Sequence, residues 1–215
     1  MLNNNFSIGI VGLGTVGTAT IKLLEKEIES INNKSGKNII IKAISSKNHS
    51  KKRDIDLTRY EWENNPEQLS IREDIDAVVE LIGGSDGIAK NLAYSAIKNE
   101  KHFITANKAL IAKHGYDLHK SILGTNISIY YEAAVAGAIP IINSIKNGLI
   151  SNNILGIEAI LNGTCNYIMS DMTNNETSFQ ESLKKAQELG FAEADPSFDI
   201  EGIDSGNSNS VYPVK

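Results

Sequence analysis

Gly12-Leu13-Gly14-Thr15-Val16-Gly17 sets three glycines at the spacing G-x-G-x-x-G, between the apolar run 7–11 and a stretch of helical periodicity. In that context each glycine has its own task. Gly12 permits a tight turn, Gly14 lets the backbone approach a pyrophosphate, and Gly17 lets the helix pack close to the strand. The anion then rests on the helix N-terminus, where free N–H groups and the helix dipole favour negative charge. Without a strand before it and a helix after it, the same spacing would be a glycine turn that binds nothing. Leu13, Thr15 and Val16 complete the expected dinucleotide-binding loop.

The second apolar run ends Ile44-Ser45-Ser46-Lys47, and Lys51, Lys52 and Arg53 follow. A carboxylate at this strand end holds a ribose 2′-hydroxyl, whereas cations accommodate a 2′-phosphate. No carboxylate stands there, so Ser45 and Lys47 point to NADPH, with NADH as the alternative; the competing reading of 47–53 is a charged surface loop. Gly83 and Thr105 close two further apolar runs and join the cofactor-binding set. Lys108 follows Thr105-Ala106-Asn107, just past a strand end that in a doubly wound sheet faces the ligand crevice. A lysine there can bind a carboxylate or donate a proton; a lone lysine after a strand is otherwise a solvated side chain.

Two polar motifs lie further on. Asn162-Gly163-Thr164-Cys165-Asn166-Tyr167 offers amide, hydroxyl and backbone donors, and the run from Glu193 through Asp199 to Asp204 offers carboxylates. Cys165 is the only cysteine, so no internal disulfide forms, and it reads as a small buried structural residue rather than a nucleophile.

The elements that must position these groups follow from periodicity. Residues 7–11, 38–44, 77–82, 102–105 and 126–131 read as strands, and 88–99 and the stretch after Gly17 as helices, with 32–37 a polar loop. This alternation predicts an α/β fold, a Rossmann-type doubly wound, mainly parallel sheet over residues 1–131. From 132 to 215 the character changes to the first part of an α+β substrate and dimerisation domain. There 133–150 reads as a buried helix, 155–161 as a strand and 178–189 as a helix closed by Gly190. Segments 47–53 and 62–67 read as solvated connections.

Of the 215 residues 41% are hydrophobic and 22% charged, an ordinary globular balance, and the net charge of −5 argues against a nucleic-acid surface. The first residues lack the basic region of a signal peptide, and no apolar run approaches the roughly 20 residues that span a bilayer. The expectation is a soluble cytoplasmic protein that acts on a small molecule, with neither nucleic acid nor membrane as partner.

Ala77-Val78-Val79-Glu80-Leu81-Ile82-Gly83-Gly84, Thr105-Ala106-Asn107-Lys108-Ala109-Leu110-Ile111-Ala112, Tyr131-Glu132-Ala133-Ala134-Val135-Ala136-Gly137 and Gly190-Phe191-Ala192-Glu193-Ala194-Asp195-Pro196 resemble homoserine dehydrogenase, from about residue 6 to 206. The resemblance implies NADPH-dependent reduction of L-aspartate 4-semialdehyde to L-homoserine in threonine, methionine and isoleucine biosynthesis. It implies Lys108 and Asp204 as catalytic groups, with Lys108 also touching the cofactor. Glu193 would bind the substrate ammonium, and Asn162, Thr164 and Asp199 would join it in the substrate site. Glu132, Val135, Gly137 and Ile139 match the family's monovalent-cation site, for an ion such as Na+, and the full-length family implies a homodimer.

The resemblance stops at Asn207. The family has a second active-site lysine four residues after the aspartate, where this chain has Ser208, and Pro213 breaks the helix expected there. The expectation is an N-terminal portion, truncated or frameshifted after Gly206, with a dinucleotide-binding remnant without catalysis as the alternative.

Overall fold

β-Branched and small residues bury both faces of the first strand from Ser7 to Val11, as a parallel sheet covered on two sides demands. β1 (Asn5–Val11) and β2 (Asn38–Ser45) flank α1 (Thr15–Ser35), and β3 (Glu61–Trp62), α2 (Gln68–Ile71) and β4 (Ala77–Glu80) follow. Then come α3 (Ile88–Lys98), β5 (His102–Thr105), α4 (Lys108–Ser121) and β6 (Ile129–Tyr130). In this computed structural model residues 4–156, 158–160 and 162–192 are described. They divide between two compact units, Met1–Gly148 and Leu149–Lys215.

In the first unit six strands pair in the order β3-β2-β1-β4-β5-β6, every pairing parallel. That is the Rossmann order, and its direction reverses between β1 and β4. Ile8, Ile10, Leu13, Ile21, Ile44, Ala77 and Val79 form the core between β1, β2, β4 and α1. Crossovers of this kind open a ligand crevice outside the carboxyl ends of the strands at the switch point. The carboxyl ends of β1 and β4 are Val11 and Glu80.

Several elements differ from the sequence expectation. α1 runs on through the expected polar loop to Ser35, because Asn32 anchors the next strand. Its side chain accepts from Ile39 N at 2.9 Å and donates to Asn38 at 3.1 Å, while Gly36 closes the helix in the left-handed region at φ 67°. Trp62 lies in β3, not in a solvated connection, its strand too short to show alternation. α4 carries no expectation above, yet Asn107 caps it by accepting from Leu110 N at 3.0 Å.

The buried helix expected over 133–150 is instead broken and largely exposed. α5 (Glu132–Val135) stops before Ala138, which is left-handed at φ 63°, and α6 (Ile141–Asn143) starts after Pro140 and leads into a wide turn over Ser144–Gly148. Pro140 has no N–H for a continuing helix. This segment clusters with the first compact unit, which runs to Gly148.

In the second unit α7 (Gly163–Asn175) and α8 (Phe179–Glu188) form a helical hairpin over buried Ile168, Ala186 and Ala192. Ser178 and Glu181 make a capping box at the start of α8. The strand expected over 155–161 is not formed among its described residues, where Leu155 is 97% and Ile160 74% exposed. A lone strand with no neighbour to pair leaves its backbone groups to water.

Asp171, buried in α7, gathers this hairpin: its carboxylate accepts from Asn175, Thr177, Ser182 and Lys185. Hydrogen bonds from Asn175 and Ser182, then Lys185 and Thr177, hold its carboxyl well below the usual carboxylate range. A depressed carboxyl stabilises the fold above its unfolded value, near 3.8, and that stabilisation is lost as pH falls towards the folded value. Asp171→Asn is therefore expected to lower the melting temperature at neutral pH and to flatten its decline below about pH 4, read by circular dichroism of the helices.

Candidate dinucleotide and lysine site

Gly12 turns the chain out of β1 at φ 100°, and its N–H donates to Ser45 O at 2.8 Å. A Cβ on Gly12 would fall 2.4 Å from Leu81 O, and one on Gly17 would fall 1.9 Å from Gly12 O. Both contacts are with backbone, so neither can be relieved by a side-chain rotation. Gly14 differs, with nothing within 4 Å of the place its Cβ would take. It is exposed, as are Thr15 and Val16, and it caps α1 without a side chain. The first turn of α1 thus presents backbone N–H groups to solvent, with no acidic residue in it. Leu13 belongs to the core at 2% exposure, so it offers the crevice backbone alone.

At the end of β2 the positions divide. Ser45 is buried, its hydroxyl beneath the surface, and Lys47 is exposed. The group that organises this corner is Arg53. Its guanidinium donates to Leu13 O at 3.0 Å, Ser46 Oγ at 3.1 Å, Asn48 O at 2.9 Å and Lys51 O at 2.9 Å, and lies 5.9 Å from the centroid of the Trp62 ring. It ties the glycine loop to the connection after β2. The cationic run 47–53 signalled charge here, but only the fold picks Arg53 from its neighbours.

β4 ends on Glu80, fully buried, whose carboxylate accepts from the backbone N–H groups of Ile82 and Gly83 and from the Thr105 hydroxyl. Thr105 Oγ1 in turn accepts from Asn107 N at 2.9 Å, so its side chain works inward. Asn107 caps α4 and donates to Gly84 O at 2.7 Å. Lys108 is the first residue of α4, half-buried. A cation on a helix N-terminus adds to the pull that N-terminus already exerts on an anion. Gly83 is exposed in the loop after β4, at φ 76°. Asp86, in the same loop, accepts from Lys113 at 2.6 Å and pairs with His114 at 3.1 Å. Hydrogen bonds from Lys113, Ser85 and His114 hold its carboxyl well below the usual range.

The expected cation ligands lie on the segment after β6. Glu132 uses its carboxylate on Ile142 N and Asn143 N at 2.8 and 2.9 Å, and its carbonyl accepts from Ala136 N at 3.4 Å. Ile139 O accepts from Ile141 N at 2.8 Å; Val135 is half-buried and Gly137 exposed. Next to this segment a cavity of about 320 Å³ is lined by His119, Tyr131, Ile142 and Lys146 among others. Burial, and then the Lys146 ammonium, hold the His119 imidazole below its ordinary value. The expectation of a buried helix over these residues hid this cavity.

In the second unit Asn162 caps α7, accepting from Cys165 N at 2.7 Å, and the Thr164 hydroxyl donates to Phe191 O at 2.6 Å. Both are buried, whereas Cys165 is half-buried rather than buried, its position on α7 turning it partly outward. Glu193, Asp199, Asp204 and Ser208 lie outside the described residues. The first unit thus brings together the glycine loop, Arg53, Gly83 and Lys108 around the strand ends.

The family model "Homoserine dehydrogenase, NAD binding domain" matches residues 12–132, and "Homoserine dehydrogenase" matches residues 140–210. The chain belongs to the homoserine dehydrogenase family. It is 43% identical over 205 residues to the homoserine dehydrogenase of Neisseria gonorrhoeae, covering 95% of this chain and 47% of that protein. With the Helicobacter pylori homoserine dehydrogenase it shares 43% over 206 residues, 96% of this chain and 48% of the other. The crystal structure of a homoserine dehydrogenase from Thiobacillus denitrificans superposes with a TM-score of 0.85 at 40% identity, covering 95% of this chain and 47% of that one. The chain thus spans about half the length of the curated relatives it matches. The matched nucleotide-binding region, residues 12–132, holds the glycine loop and the strands β2 to β6. Among the described residues no helix is long and apolar enough to cross a membrane.

Gly17→Ala brings a Cβ against the Gly12 carbonyl and must push α1 away from β1. The expected outcome is loss of dinucleotide binding together with a marked fall in melting temperature, checked by cofactor titration and thermal unfolding of the same sample. Gly14→Ala, in open space, is expected to keep the melting temperature of the parent.

Proposed function

We propose that this chain carries the cofactor-binding half and the first substrate groups of a homoserine dehydrogenase, which reduces L-aspartate 4-semialdehyde to L-homoserine with NADPH. One observation carries the reading. The glycine turn and the helix that starts on Lys108 both open at the carboxyl ends of a 3-2-1-4-5-6 sheet. A pyrophosphate fits the exposed N–H groups at Gly14, Thr15 and Val16. A dihydronicotinamide held there would supply the hydride, its own oxidation to NADP+ balancing the reduction. The chain's own part is charge and orientation: negative charge grows on the aldehyde oxygen, and Lys108 neutralises it and gives up the proton that makes the alcohol. Asp204 assists that proton transfer. Glu193, Asp199, Asn162 and Thr164 hold the substrate's amino-acid end, where an ammonium calls for carboxylates.

NADPH is favoured over NADH because the end of β2 is followed by Ser46 and the exposed Lys47, with the Arg53 guanidinium beside Ser46, and no carboxylate stands there. The backbone carbonyls at Glu132, Val135, Gly137 and Ile139 suit a monovalent cation such as Na+; carbonyls accepting a single N–H bond retain a second lone pair. The Glu132 carboxylate is already engaged by the start of α6. Such an ion would fix charge beside the turn after β6. A small molecule is the partner, the cytoplasm is the compartment, and the full-length assembly is a homodimer. Ser208, standing where the resemblance calls for lysine, supports a second reading: dinucleotide binding without turnover.

Arg53→Ala is expected to weaken NADPH roughly tenfold or more and NADH far less, since a charge-assisted contact to the 2′-phosphate is lost in only one of them. Equal weakening of both would assign Arg53 to loop structure alone. Lys108→Ala is expected to weaken NADPH binding only a few-fold and to cut the homoserine-dependent reduction of NADP+ by about a hundredfold or more. NADPH binding by the parent chain with no homoserine-dependent reduction would select the second reading.

A further inference from the structure

Gly83, Gly84 and Gly87 sit in the left-handed region, at φ 76°, 84° and 63°, in the loop that leaves β4 for α3. At all three a Cβ would meet nothing within 4 Å. Their glycines serve backbone conformation, and they leave the loop without side-chain packing at three of its positions. Other groups have to hold it against the crevice.

The attachments are few and specific. Glu80 accepts from the N–H groups of Ile82 and Gly83, which fixes the start of the loop. Asn107 donates to Gly84 O at 2.7 Å, which fixes the middle. Asp86 fixes the far end. Its Oδ2 accepts from Lys113 Nζ at 2.6 Å and from Ser85 Oγ at 2.8 Å, and its Oδ1 faces His114 Nε2 at 3.1 Å. Asp86 itself is exposed, yet His114 is 8% exposed, held in the packed flank of α4 with Nε2 aimed at the loop. Lys113 and His114 belong to α4, the helix that begins at Lys108. The same helix therefore grips the loop twice, at its cap through Asn107 and about two turns on through Lys113 and His114.

We propose that Asp86 is a positioning residue: through Lys113 and His114 it locks the loop after β4 against α4, so that the nicotinamide half of a dinucleotide meets that loop and Lys108 already in register. The proposal rests on the dinucleotide reading given above. A loop with three left-handed glycines has conformational freedom to lose, and the lock removes that freedom on folding rather than on binding. The adenine half binds at the other end of the crevice, by the glycine turn and Arg53, and does not depend on the lock.

The test compares two ligands on the full 215-residue chain: NADPH, which carries the nicotinamide half, and 2′,5′-ADP, which lacks it. Asp86→Ala is expected to raise the NADPH dissociation constant about three- to tenfold and to leave 2′,5′-ADP within about twofold of the parent. Lys113→Ala, which removes the exposed half of the clamp, is expected to give the same split at smaller size. Unchanged NADPH affinity in Asp86→Ala overturns the proposal, and so does a loss shared equally by 2′,5′-ADP, which would mark a general effect on the fold. A parent chain that binds neither ligand removes the dinucleotide reading itself and this proposal with it.

Discussion

A fully buried carboxylate at the end of a central strand is the constraint on which the site depends. Glu80 lies at the switch point, where burial of an unpartnered polar group would be costly, so its surroundings must supply donors. They come from two directions: Ile82 and Gly83 of the loop ahead, and Thr105 at the end of the next strand. Satisfying one side chain thereby bends the loop after β4 back over its own strand and binds it to the turn that starts α4. Thr105 passes the constraint on to Asn107, and Asn107 to Gly84 and to the cap of α4. Lys108 stands where it does because of this chain of bonds.

The glycine turn is governed by a different force, steric contact. The loop lies so close to the chain leaving β4 that no Cβ fits at Gly12, and α1 so close to the loop that none fits at Gly17, while Gly14 is left open for a ligand. A short, stiff turn of this kind aims the first N–H groups of α1 into the crevice and keeps them there. Arg53 completes the wall by bonding the Leu13 carbonyl from the connection after β2. The second unit uses the same device as the first, a buried carboxylate that gathers donors, with Asp171 joining α7 to α8.

The sheet was legible in the sequence because β1, β2, β4 and β5 are apolar runs ended by turn residues, and the glycine spacing placed the first turn to the residue. From the local pattern Lys108 is legible only as a lysine after a strand, its chemistry coming from the family resemblance; Asn107 followed by Ala109, Leu110 and Ile111 is the capping signal of its helix. β3 escaped because two residues cannot show a period. The segment after Glu132 misled, since its alanines and isoleucines suggested burial while Gly137 and Pro140 already forbade a continuous helix. Thr105 and Ser45 both turn their side chains inward, a distinction that periodicity alone does not make. Arg53 and Asp86 take their parts from contacts 40 and 28 residues distant, which no local reading supplies.

In the proposed complex a dinucleotide lies across the carboxyl ends of β1 and β4 with its pyrophosphate on the first turn of α1. Backbone amide shifts of the isotope-labelled chain, followed by NMR as NADPH is added, test it most directly. That placement predicts shifts concentrated at Gly14, Thr15 and Val16, at Ser46 and Lys47, and along the loop from Gly83 to Gly87. Shifts that avoid Gly14 to Val16, or a spectrum that NADPH leaves unchanged, would contradict it.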